Sequence, residues 1–168
     1  EAIGLARMRA CIHYLDEVPT VAVRVPSFNM ALVARFEHLD DATFRKTEAG
    51  VRPLRKQFCE RMRTKGFPAE DFRNSLEQIA KTCERVHAAL ANGPWLMGSL
   101  YSIADIVLFP SIDRMADLGF AHLWEKDYPR VVDWHACMRA RPAVQTGYMP
   151  GSRFTEVYKL APPTVAAL

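Results

Sequence analysis

Apolar residues recur at steps of three and four over most of this chain, the period of helices that lie against a core. Leu5, Met8, Ile12 and Leu15 mark a first helix over residues 3–18, and its opposite edge is polar, with Arg9, His13, Glu17 and Thr20 at helical spacing. Pro19 is placed to bend or break that helix. Residues 20–25, TVAVRV, alternate and are rich enough in Val to pass for a short strand. Pro26, Ser27, Phe28 and Asn29 then make a turn-like interruption before residues 30–36. Asp40 or Asp41 caps a short helix through Glu48, closed by Gly50. Pro53 suits a first helical position, and Leu54, Phe58 and Met62 repeat at steps of four until Lys65 and Gly66.

The strongest helix follows. Pro68 opens it, Glu70 and Asp71 favour its positive end, and Phe72, Leu76, Ile79, Cys83, Val86 and Leu90 form one stripe that ends at Gly93–Pro94. The stripe lasts under three heptads, too short for a coiled-coil seam, and is expected to pack on the next helix. Ser102 and Asp105 form a capping box at the start of that next helix, with Tyr101 and Ile106 spaced for a hydrophobic staple. Ile103, Ile106, Val107, Leu108, Phe109 and Ile112 are apolar on nearly every face, the pattern of a buried central helix. Asp105 is then a buried carboxylate, tolerable because the cap satisfies it. Pro110 bends this helix without ending it. Residues 120–129 read as a connection, Pro129 starts a helix that points Val131, Trp134 and Met138 inward, and Arg141–Pro142 begins another short one. Periodicity stops after Gly147, which leaves residues 148–168 as a tail whose last eight residues, APPTVAAL, are expected to be mobile. With no convincing strand pair, the fold class is an all-α helical bundle without a β-sheet.

Composition narrows the function. With 168 residues, 49% of them hydrophobic, the chain supports one ordinary core. Its 22 Lys and Arg stand against 19 Asp and Glu, interspersed, so no basic stripe of the kind that neutralises nucleic-acid phosphates is present. No apolar run reaches a membrane span. The cysteines at 11, 59, 83 and 137 form no C-x-x-C pair and have no His at ligand spacing, so neither a metal site nor a redox pair is expected; they read as small apolar fillers in a reducing cytosol. There is no G-x-S-x-G, H-E-x-x-H, P-loop or G-x-G-x-x-G motif, and no catalytic residue is assigned. The chain begins at Glu1 already in helical rhythm, and the expectation is that it continues a longer protein.

Trp95-Leu-Met-Gly98, Tyr101-Ser-Ile-Ala-Asp105, the bend at Pro110, Arg114, Gly119, YPRVVDW and Arg141–Pro142 together resemble the all-helical C-terminal domain of glutathione transferases. The order of these residues, more than the capping box alone, makes the resemblance specific. It implies a helical bundle over 1–147 and favours a bent helix over a strand at 20–25. It also implies a thioredoxin-like N-terminal domain that lies outside this chain and supplies the thiol-activating residue; a thiolate is the competent nucleophile. RMR, YLDEVP and RVPSFN further resemble a bacterial branch that includes ether-cleaving enzymes.

What the resemblance assigns to this domain is the pocket for a small hydrophobic electrophile, some contacts to the cosubstrate glutathione, and much of a homodimer interface, in a cytoplasmic protein. The candidate wall is the first helix and the bend after it. His13 takes a place where bacterial members carry an Asn near the glutathione backbone, and an imidazole can donate a hydrogen bond there. Arg9 offers a donor fork for a carboxylate, and Thr20 is a weaker donor. A solvated or subunit-facing edge is the simpler reading of these three. Arg24, Phe28, Asn29 and Phe36 surround the Pro26 interruption, where a loop on rigid helices can carry binding residues, although Phe28 and Phe36 are expected to belong to the core. Tyr148 and Met149 begin the tail and are placed either to close over a ligand or merely to pack down. Arg114 is expected to form a structural ion pair with Asp113, Asp117 or a helix end. A second function class stays open: a noncatalytic protein-binding module built on the same bundle.

Overall fold

The computed structural model describes residues 2–51, 53 and 56–163. Helix α1 (Ala2–Glu17) runs into two short helices, α2 (Pro19–Ala22) and α3 (Arg24–Ser27). Val18 and Val23 keep helical backbone between them, and Ala22 N donates to Val18 O at 2.9 Å and Val23 N to Pro19 O at 3.0 Å. The strand alternative for residues 20–25 is therefore wrong. These amides close bonds four residues back, and Pro19 at the start of α2 has no N–H to leave unpaired. Pro26 sits inside α3, and the chain then widens into a π-helical turn, Phe28–Leu32, and a 3-10 turn, Val33–Arg35. The expected interruption is thus a change of helical pitch.

Asp40 caps α4 (Asp41–Phe44) by accepting from Thr43 N at 2.8 Å, and a second π-helical turn, Arg45–Ala49, carries the chain to Gly50. Helix α5 (Lys56–Met62) ends earlier than the sequence predicts, because Arg63 takes a left-handed backbone at φ 54°. Leu54, assigned to the same repeat, lies outside the described residues. Phe44, Ala49, Cys59, Met62 and Phe67 form a small core of their own, edged by Phe28, Phe36 and Phe58.

The main core is built around α6 (Ala69–Ala89), whose stripe from Phe72 to Val86 is buried together with Leu90. The backbone neighbours of α6 are α2, α3, α8 (His122–Glu125) and α9 (Pro129–Arg139); it meets α7 (Ile103–Asp117) through side chains of the shared core. Helix α8 falls inside the segment expected to be a plain connection, and it buries Trp124. Val131, Trp134 and Met138 on α9 point inward as predicted. Helices α10 (Pro142–Gly147) and α11 (Phe154–Val157) close the described chain, and Ala161 N reaches back to Met30 O at 2.7 Å. Only residues 161–163 of the final eight are described. No strand occurs among the described residues, only isolated bridges around a tight turn at Trp95–Gly98 and Met97–Leu100. No helix there is long and apolar enough to cross a membrane.

Helix α7 departs from expectation on one face. Ala104, Leu108, Phe109, Ile112 and Met115 are buried, yet Ile103 and Ile106 are 55% and 51% exposed. Tyr101 packs edge-on to Trp95 at 5.0 Å, under the Arg141 guanidinium at 3.6 Å, while Ile106 stays open. The other face turns on Asp105, which is 0% exposed and meets four donors. Ser102 N and Oγ reach Oδ2 at 3.0 and 3.1 Å, and Leu96 N and Trp134 Nε1 reach Oδ1 at 2.9 and 3.0 Å. The buried carboxylate predicted from the capping box thus also ties α7 to the 95–98 turn and to α9.

Candidate functional site

A cleft of about 320 Å³ opens where α2, α3 and the π-helical turn face the middle of α7 and the short α11. Thr20, Arg24 and Phe28 come from the first wall, and Val107, Pro110, Ser111 and Arg114 from the second. Phe154 closes one side. The bend residues Pro19 and Pro26 keep the first wall helical while turning it across α7. Pro110 leaves a backbone position without a donor where the opposite wall meets the cleft.

Helix α11 is too short to hold itself, and it is pinned from outside. Asp117 accepts from Phe154 N at 2.8 Å and from Thr155 Oγ1 at 2.7 Å. Phe154 in turn carries the Arg114 guanidinium 3.4 Å above its ring centre. The structural ion pair expected for Arg114 is therefore replaced by a cation–π contact. Its neighbour Asp113 is buried and engaged elsewhere, with His135 Nε2 at 3.0 Å, Arg153 Nη1 at 3.1 Å and Arg139 Nε at 3.8 Å. Burial pushes the Asp113 carboxyl up, but the His135 hydrogen bond and the Arg153 charge outweigh it and hold the group below the usual carboxylate range.

Of the residues singled out in the sequence, Thr20, Arg24 and Phe28 share this cleft, and Phe28 also packs edge-on to Phe58 at 5.0 Å. Asn29 is next to them in the chain but turns inward, its amide paired with the Phe67 backbone. Tyr148 packs on Phe109 at 5.9 Å, and burial pushes its hydroxyl pKa up. Met149 is 63% exposed. Arg9 and His13 lie on the outer edge of α1, exposed, with His13 Nε2 3.7 Å from Glu17. Sequence reasoning missed the part played by Phe154, whose four-residue helix has no periodicity to detect, and placed Arg114 with the wrong partner.

Two other hollows differ in chemistry. One of about 350 Å³ between α2 and α6 is lined by Arg61, but that guanidinium is held by Asp71. The other is a groove of about 1,020 Å³ between the start of α1, the 96–102 segment and the open face of α7, lined by Leu5, Met8, Leu100, Tyr101, Ile103 and Ile106. No group of side chains suited to a metal ion occurs among the described residues. Burial pushes the Cys83 thiol up to about 12 and raises that of Cys11, which takes both away from thiolate chemistry.

Residues 59–137 match the family described as Glutathione S-transferase, C-terminal domain. The disulfide-bond oxidoreductase YfcG of Escherichia coli (strain K12) is 41% identical over 58 residues, which are 32% of this chain and 24% of that protein. The crystal structure of beta-etherase LigF from Sphingobium sp. strain SYK-6 superposes with a TM-score of 0.72 at 21% identity, over 87% of this chain and 62% of that one. The chain thus spans less than two thirds of either protein, and the second likeness is one of fold. The matched residues include α6, the capping box, Asp105 and its partner Trp134. Over residues 59–137, this chain is thus similar to the glutathione S-transferase C-terminal domain family.

Proposed function

We propose that this chain forms the C-terminal part of a glutathione transferase and that the cleft between Phe28 and Phe154 receives a small hydrophobic electrophile. The observation that carries the reading is the cleft itself. Apolar side chains from α2–α3, α7 and α11 converge there, beside Thr20 and Arg24, on a scaffold of the family's type. A thioredoxin-like domain upstream would bind glutathione and lower its thiol pKa. The thiolate sulfur then bonds to the electrophilic carbon, and the leaving group departs with its electron pair, in conjugation, ether cleavage or dehalogenation. The open groove along Leu5, Leu100, Ile103 and Ile106 suits the seat of that domain. Arg9 and His13, exposed on α1, are proposed to face glutathione, and the protein to act as a cytoplasmic homodimer.

The test uses the complete protein. Thr20→Trp fills the cleft and is expected to depress turnover of a chlorodinitrobenzene with glutathione while glutathione affinity stays the same. Full turnover in that variant removes the electrophile from this cleft. Arg9→Ala and His13→Ala are expected to weaken glutathione binding, and unchanged binding in both removes them from the site.

A further inference from the structure

The cleft holds two guanidinium groups that make no direct ion pair among the described residues. Arg61, Arg63 and Arg153 each meet a carboxylate, on Asp71, Asp41 and Asp113 respectively. Among the described residues, Arg24 and Arg114 have no carboxylate within ion-pair distance, and both line the same cleft. The two acids on the helix of Arg114 already have donors: Asp113 has His135 and Arg153, and Asp117 has the Phe154 amide and the Thr155 hydroxyl. Arg114 is half-buried, and burial pulls its pKa down even with Asp117 nearby. Its guanidinium carbon stands 3.4 Å from the centre of the Phe154 ring, and among the described residues its N–H groups have no hydrogen-bond acceptor. A partly desolvated guanidinium with unpaired donors, on the wall of an otherwise apolar cleft, is complementary to a planar anion.

We infer that the ligand of this cleft is an aromatic carboxylate, its carboxylate held by the donor fork of Arg114 with Arg24 in support, and its ring laid against Phe28, Val107 and Pro110. The size agrees: about 320 Å³ lies at the small end of ligand pockets and suits a molecule of one or two rings. Ser111 and Thr20 border the same space and can donate to the second carboxylate oxygen. Asp117, through Phe154, is a positioning residue for Arg114. The inference rests on the reading of this cleft as the electrophile pocket and adds what it selects.

The experiment titrates the complete protein with 4-phenoxybenzoate and with 4-phenoxybenzamide, its neutral counterpart, by calorimetry at low and high salt. The benzoate is expected to bind at least about tenfold more tightly, as a charge-assisted pair allows, with the advantage shrinking in salt. Arg114→Gln is expected to abolish the preference, and Arg24→Gln to reduce it. Equal binding of the two probes by the parent protein overturns the inference and leaves the pocket reading intact. A benzoate preference that survives both substitutions also overturns it, since the anion is then read elsewhere. Binding of neither probe removes the pocket reading and the inference with it. Should Arg114→Gln not fold, the probe pair and its salt dependence in the parent protein decide the matter alone.

Discussion

Asn29 and Phe67 are locked by two hydrogen bonds across the chain. Asn29 Nδ2 donates to Phe67 O at 2.9 Å, and Phe67 N donates to Asn29 Oδ1 at 2.7 Å. The side-chain amide of a π-helical turn thereby stands in for a strand partner and fixes the segment that enters α6. Gly66 is required beside it: its φ is +84°, and a Cβ there would lie 2.6 Å from Asn29 Oδ1. Asn29→Ala leaves a buried N–H and C=O unpaired and is expected to cost about 2–4 kcal/mol in urea unfolding. Gly66→Ala is expected to cost about 1–3 kcal/mol through backbone strain and displacement of the amide. A loss in either variant of under half a kcal/mol would contradict the pairing.

Asp105 supports the strongest stability prediction. Asp105→Ala removes the acceptor for Leu96 N, Ser102 N and Trp134 Nε1 together, and is expected to cost about 3–5 kcal/mol. Trp134→Phe removes the indole donor and leaves a cavity at a buried position, for about 2–4 kcal/mol. A double-mutant cycle between the two positions is expected to show coupling, and strict additivity would mean that the indole bond contributes nothing.

These two positions also mark what could be read before the structure. Asp105 was legible because a capping box is a local pattern, four residues long, with a single geometric solution. The stripe of α6 and the inward face of α9 were legible for the same reason: their periodicity states which side is buried. Trp134 as a partner of Asp105 was not, since 29 residues separate them and nothing local records the contact. Pitch changes at Phe28–Leu32 and Arg45–Ala49 were missed because a π turn preserves helical composition. Ile103 and Ile106 misled because apolar residues all round a helix say that every face is covered, and are silent on what covers it. In the cleft, Arg24 and Phe28 were found from the Pro26 bend; Phe154 was hidden by the brevity of α11.

Acid should loosen the end of the bundle first. Asp113 has a folded pKa below its unfolded one, so its contribution is present above the ordinary carboxylate value of about 3.9 and is lost as pH falls through the lower folded value. The group is held by His135 and Arg153, which anchor the approach to α11. Stability measured by urea unfolding is expected to fall more steeply between about pH 5 and 2 in the parent protein than in Asp113→Asn. Parallel curves for the two would show that the carboxylate is not stabilised by these partners.

The exposed apolar face predicts the behaviour of the isolated chain. Leu100, Ile103 and Ile106 are 71%, 55% and 51% exposed, and with Leu5 and Tyr101 they border one groove of about 1,020 Å³. Isolated surface leucines and isoleucines are ordinary, but a contiguous set along a groove is the mark of a covered surface. The 168-residue chain by itself is therefore expected to bind an anilinonaphthalene dye and to self-associate in sedimentation velocity. The complete protein, with its proposed upstream domain seated there, is expected to do neither through this face. Ile103→Asp with Ile106→Asp separates the two explanations of any association seen. Both side chains are already in water, so the double variant is expected to stay within about 0.5 kcal/mol of the parent chain in stability while becoming monomeric and dark to the dye. Association that persists in the double variant would place the sticky surface elsewhere and leave the groove without a role in docking.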